Sequence, residues 1–274
     1  MKWIVAILCG WVMGCAMAVE RVGHRGTQFV GLRGLNQFEQ SSEGHFISPG
    51  IRADIPWDQL IVSWNFVGPD DAGLIIEARA QLSDHESNWY TLGKWTKGAG
   101  DTRESVTGQK DADGRVDTDT LILKQPAKSV QLRIRLQGAA AKKEMLKFLG
   151  LSFCDSSAEP KILPPNKAAW GKTLTVKERS QANYPEGITA WCSPTSTSML
   201  LSYWAAKLDR PGLDYDVPIV AAAVNDPNWP GTGNWPFNTA FAGSHPGMRA
   251  YVTRFSDVSE IEDWTAAGFP VALS

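Results

Sequence analysis

From Thr195 to Arg210 the chain carries no glycine and no proline, with Pro194 just ahead of the run and Pro211 just behind it. Proline suits the first turn of a helix, where its missing N–H would have had no partner, and it cannot continue one. Met199, Tyr203 and Ala206 recur at helical spacing with Leu200 and Trp204 beside them, the pattern of a helix buried along one side. Cys192 therefore opens that helix, behind a loop of turn residues that includes Asn183, Pro185 and Gly187. First-turn N–H groups and the helix dipole favour negative charge, hence thiolate over thiol, and the thiolate is the nucleophile. The plainer reading stands beside this one, because a lone cysteine is most often a small buried hydrophobe.

Gln181, a glycine-containing loop, then Trp191-Cys192-Ser193-Pro194-Thr195-Ser196 and an apolar helix resemble the papain-fold cysteine peptidases. The nearest branch is the peptidase C39-like group, related to the double-glycine leader peptidases. The resemblance implies that Cys192 is the nucleophile and Gln181 an oxyanion-hole donor, with a His and an Asp or Asn on later strands. It covers roughly residues 172–274, about the first half of a papain-like domain. The group's usual Cys-Gly-Pro is Cys-Ser-Pro here.

Residues 1–18 read as a secretory signal peptide. Lys2 gives the charged start, Trp3 to Met13 the apolar centre, and Ala16-Met17-Ala18 a small-x-small cleavage site. Val12-Met13-Gly14-Cys15 is a poorer match to a lipidation box. The mature chain is then secreted or periplasmic, touching membrane only through the leader. A net charge of −2 and a pI near 6.1 give no basic footprint, so nucleic acid is not an expected partner. Cys154 and Cys192 remain after the leader, and a disulfide between them would consume the nucleophile. Cys154 ends an apolar run from Leu149 and reads as a buried free thiol.

The expected fold is α+β with two domains. An extended lead-in occupies 19–45, and an antiparallel β-sandwich or jelly roll occupies 46–157. A Pro-rich linker follows at 158–167, and a papain-like domain from 168 to 274, incomplete at its C-terminal end. Short alternating runs separated by turn clusters support the β part. In one of them, Val130, Leu132, Ile134 and Leu136 should be buried, with Arg133 and Arg135 pointing outward. Asp111, Asp113, Asp117 and Asp119 lack the spacing and closing Glu of a calcium loop and read as a solvated hairpin. In the second domain, helices are expected over 216–224 and 259–267, the latter capped by Ser259 and Glu262. Strands are expected over 249–255 and 270–274. After the first of these helices, the long loop 225–237, dense in Pro, Gly, Asn and Trp, reads either as a cover for the cleft beside Cys192 or as a packed cap. Trp191, Trp229 and Trp235 are the candidate substrate-binding walls.

A papain-like mechanism also needs a histidine to take and return the thiol proton, oriented by a carboxylate or amide. His245 is the only histidine of the second domain. It lies in a turn before the expected catalytic strands, which makes it a poor candidate for the base. The expectation is a fragment of a secreted cysteine peptidase acting on a peptide or protein substrate, inactive or barely active by itself. No cofactor or metal is called for. Two alternatives remain. One is a non-catalytic protein whose β domain binds a cell-envelope glycan or protein. The other is an amidase or transglutaminase-like enzyme on the same fold.

Overall fold

The computed structural model describes residues 4–8, 19–24, 26–98, 103–159, 162–229 and 231–274, with side chains from residue 26 onward. The fold is α+β. One antiparallel sheet contains β2 (Val19–His24), β3 (Thr27–Leu32), β11 (Leu146–Cys154), β6 (Ile51–Phe66), β10 (Thr120–Gln137), β5 (Phe46–Ile47) and β4 (Glu39–Gln40), in that order. β7 (Gly73–Gln81) pairs with β10 and carries β8 (Tyr90–Thr96), and β9 (Gly114–Asp117) pairs with the start of β10.

The expected sandwich of two packed sheets is instead a single curled one. Its spine is β6 and β10, of 16 and 18 residues. Each contains a proline, Pro56 and Pro126, and the ladder between them slips on either side of the Trp57–Ala127 pair. A proline cannot donate to the ladder, and bulges bend and twist a strand. The same two strands can therefore serve both ends of the sheet without ending in a corner turn. The first part of β10 pairs with β9 and β6, and its last part pairs with β7 and β5. The expected alternation holds at Val130, Leu132 and Ile134, which are buried, while Leu136 is half-buried. Part of the expected lead-in is sheet: every residue of β3 is buried between β2 and β11.

The remaining elements are α1 (Cys192–Lys207), α2 (Val217–Val224), α3 (Trp235–Gly243), β12 (Arg249–Thr253), α4 (Ser259–Ala266) and β13 (Val271–Leu273). α1 buries a broader and different face from the one expected. Leu200, Leu201, Ser202, Tyr203, Trp204 and Ala205 are all buried, Met199 is half-buried and Ala206 is exposed. α2, α3 and β13 all pack against this helix, so no single stripe describes it. The start of α4 is capped from upstream of the expected box. Asp257 accepts the Ser259 N–H and Glu260 accepts the Ser256 N–H, whereas the Ser259 hydroxyl is buried without a partner.

Two segments lie where sequence reasoning would not place them. The Pro-rich stretch is docked on α4: Asn166 bonds Glu262 and Asp263, and the Trp170 indole N–H bonds Glu262. β1 (Ile4–Leu8), inside the expected leader, runs antiparallel between β12 and β13. The rest of 1–18 lies outside the described residues.

The helical part packs directly on the sheet. The Asn65 side chain donates to the Ala250 carbonyl at 2.6 Å and accepts the Ala250 N–H at 3.1 Å, pinning β12 to β6. Phe237 of α3 meets Trp64 and Trp95 edge-on or tilted, at 6.0 and 5.7 Å between ring centroids. All three rings are fully buried. Gly93 and Gly243 permit the approach, since a Cβ at Gly243 would stand 2.1 Å from the Asn65 amide. One cluster of buried apolar side chains runs from Val30 through Trp64 to Leu200 and Ala250, so the sheet and the helices share a core.

Candidate active site

Cys192 is the first residue of α1 and its thiol is exposed and free. Trp191 holds the N-cap position, and no side chain caps the helix. The first intrahelical bond runs from the Thr195 N–H to the Trp191 carbonyl at 3.0 Å. Pro194 has no N–H to offer. The N–H groups of Cys192 and Ser193 thus face outward beside the thiol, the position from which a helix N-terminus can stabilise an anion.

The approach to Cys192 is a tight run of turns. The Tyr184 carbonyl accepts the Gly187 N–H, and the Gly187 carbonyl accepts both the Ala190 and the Trp191 N–H. The Trp191 indole lies on Gly187, where a Cβ would come within 2.2 Å of the ring, and it faces Tyr184 at 5.9 Å between centroids. Only glycine leaves room for the indole there. The Tyr184 hydroxyl donates to Asp216 at 2.7 Å, and Asp216 also caps α2. That hydrogen bond raises the tyrosine's pKa and lowers the carboxyl's.

Gln181 stands at the head of this run. Its amide oxygen is buried and has no hydrogen-bond partner. Arg179, two residues earlier, fixes the course of this segment. Its guanidinium bonds Ser198 of α1, the Tyr215 carbonyl and Asp214, while Lys177 also reaches Asp214 at 3.0 Å. This lays the Gln181 segment alongside the helix that Cys192 opens.

The loop 225–237 is anchored to the same place. The Thr232 hydroxyl donates to the Ala190 carbonyl at 2.8 Å, two residues before Cys192. Trp229 is 41% exposed, its ring over Gly233. Trp235 is held differently: its N–H bonds the buried Asp119 carboxylate at 3.3 Å and its ring packs against the main core. Trp191 and Trp229 therefore belong to segments joined at the Ala190 carbonyl, and Trp235 anchors the loop's far end to the sheet. Asp119, expected in a solvated hairpin, is buried instead.

His245 is not brought to the thiol. Arg210, three residues past the end of α1, donates to the Pro246 carbonyl at 2.6 Å, whereas Cys192 opens that helix. Its 16 residues span about 24 Å. The imidazole stacks on Tyr215 and meets Phe241 edge-on, with Nε2 buried and unpartnered. Burial, with the charges of Lys97 and Arg210, pushes its pKa down to about 4, so it is neutral at pH 7. His85 is engaged by Asp84 and Asp113, and His45 lies 3.5 Å from Glu43. The side chain of His24 lies outside the described residues.

Cys154 is also free, and it is buried. Arg254 donates to its sulfur at 2.8 Å, and burial pushes its thiol up to about 11. Among the described residues, no group of three or more His, Cys, Asp or Glu side chains could hold a metal ion.

Sequence reasoning singled out Cys192, Gln181 and the tryptophans and passed over Arg179, Asp214, Tyr184, Asp216, Thr232 and Asn238. Their partners across the chain lie 19 to 42 positions away, and no local spacing marks them.

Residues 31–153 match the family model described as Peptidase C39 N-terminal domain, and residues 173–274 match the one described as Peptidase C39 like family. No curated protein and no solved structure matches the chain. The two matches take in the curled sheet and the Cys192 helix alike, and on that ground the chain belongs to the C39-like group of cysteine peptidases.

Proposed function

We propose that this is the nucleophile-bearing part of a secreted cysteine peptidase-like hydrolase that cleaves peptide bonds. The observation that carries the reading is the free, exposed Cys192 thiol at the uncapped N-terminus of a buried helix, in a chain of the C39-like group. Cys192 attacks the scissile carbonyl, the C–N bond breaks, the amine leaves carrying the proton taken from the thiol, and a thioester remains. The Cys192 N–H and the Gln181 side-chain amide N–H donate to the oxyanion. Trp191 and Trp229 flank the peptide, and Trp235 secures the loop that carries Trp229.

The thiol proton needs an acceptor, and the contacts of His45, His85 and His245 all lie elsewhere. A histidine other than these three completes the mechanism in this reading, and the chain by itself turns over slowly or not at all. The same observation favours the second reading, in which the domain recognises peptides without cutting them and the sheet region takes a cell-envelope glycan or protein. Secretion rests on the sequence of residues 1–18. Cleavage after Ala18 would take β1 from between β12 and β13 and leave two unpaired strand edges there.

The test is alkylation of the folded chain by iodoacetamide near neutral pH, with Cys192→Ala and Cys154→Ala as controls. Rapid labelling that disappears only in Cys192→Ala is the expected result. Labelling that begins only on unfolding would sink the peptidase reading and leave the binding protein.

A further inference from the structure

We propose that Asn238 is a positioning residue for the Cys192 thiol, acting through Thr232 and the Ala190 carbonyl. The inference rests on the assignment of Cys192 as nucleophile. Asn238 lies inside α3 and is 1% exposed; Thr197 of α1 and Thr232 of the loop are 2% and 3% exposed. The Thr197 hydroxyl donates to the Asn238 amide oxygen at 3.0 Å. The Asn238 amide N–H groups donate to the Thr232 carbonyl at 2.8 Å and the Asn234 carbonyl at 2.9 Å. The Thr232 hydroxyl then donates to the Ala190 carbonyl.

This chain of bonds leaves α1 at its second turn, crosses α3, runs through the loop, and returns to the peptide just ahead of the same helix. It closes a ring around the N-terminus that carries the thiol. Asparagine is what the centre of the ring requires: one planar group that accepts once and donates twice, with every polar atom used. A buried group satisfied this fully fixes a single arrangement of its partners.

The loop's other end is fixed in the same manner. The Asp226 carboxylate, fully buried, accepts from the Ser105, Asn228 and Trp229 N–H groups and from the Asn234 side chain. Ser105 belongs to the segment between β8 and β9, so the sheet region holds the loop and the loop holds the thiol's approach. In this arrangement the N-terminal region is a support for the site.

The test compares the pH–rate profile of Cys192 alkylation in the full chain for wild type, Thr232→Val, Asn238→Asp and Thr239→Val. Thr239 is as buried, on the same helix, but its hydroxyl bonds only the Pro236 carbonyl, so it controls for loss of stability alone. Thr232→Val and Asn238→Asp should each slow alkylation at neutral pH by about fivefold, the worth of one net hydrogen bond. Thr239→Val should leave the profile unchanged, and all four chains should label equally once unfolded. Slow labelling of wild type would overturn the nucleophile assignment and this inference with it. Fast wild-type labelling that Thr232→Val and Asn238→Asp leave untouched, or that Thr239→Val alters equally, would overturn the inference alone.

Discussion

Asp119→Asn should stabilise the protein at neutral pH and have little effect in acid. Burial raises the Asp119 carboxyl from 3.8 to about 6, and the charge of Asp117 adds to the rise. The Thr120 hydroxyl and the Trp235 N–H, both donating to the carboxylate, oppose it without cancelling it. The shift is about two units, each worth about 1.4 kcal/mol. A carboxyl raised on folding contributes stability that is fully present below its unfolded pKa and is lost as pH rises through the folded one. Asp119 therefore costs the fold about 3 kcal/mol between roughly pH 4 and pH 7. Asparagine keeps the oxygen that accepts the Trp235 N–H and never ionises. Urea unfolding of both chains at a series of pH values gives the difference directly, and the other carboxylates cancel in it. The variant should match wild type near pH 4 and exceed it by 2 to 3 kcal/mol near pH 7.5. A difference that is flat with pH, or a variant less stable at pH 7.5, would refute the argument.

Three further outcomes follow from the packing. Phe237→Ala opens a cavity between Trp64 and Trp95 and should cost about 3 to 5 kcal/mol in urea unfolding; it also tests the shared core, since a loss under 1 kcal/mol would mean the helices rest loosely on the sheet. Gly187→Ala drives a methyl into the Trp191 ring and should cost about 1 to 3 kcal/mol, with a red shift in tryptophan emission as the indole is expelled. Glu77→Gln breaks a paired contact in which Arg133 reaches both carboxylate oxygens, at 2.6 and 2.8 Å, while lying over Trp89. A loss of about 1 to 2 kcal/mol by thermal unfolding is expected, and no loss would show the pair to be solvent-screened.

Much of the site was legible because its signals are local. A proline-free run after Pro194 implies a helix, and a helix has a first turn, so Cys192 had a chemical position before it had coordinates. The alternation around Val130 to Ile134 implied a strand by the same logic. The errors came where the answer lay across the chain. Helical spacing points Met199 and Ala206 at a core on one side, whereas α1 has three neighbours, α2, α3 and β13, and buries a broader face. The sandwich was inferred from strand spacing, which says nothing about whether a long strand bends at Pro56 or Pro126 or stops there. Asp119 sits in a hairpin pattern, but the start of α3 covers it.

The sequence alone determined the place of Cys192 at a helix start, the β-rich first half, the helices of the second, and membership of a recognisable peptidase group. The first three follow from periodicities of two and 3.6 residues and from what proline and glycine do to a backbone; the last follows from the resemblance carried by Gln181 and the Trp191 to Ser196 run. The tertiary structure decided the rest. It joined Ser105 to Asp226, Thr232 to Ala190 and Asn65 to Ala250, and it set His245 beyond the far end of α1 from Cys192. These pairings are separated by 42 to 185 positions. A hydrogen bond between buried groups depends on where two surfaces meet, and no local spacing in a sequence encodes that meeting.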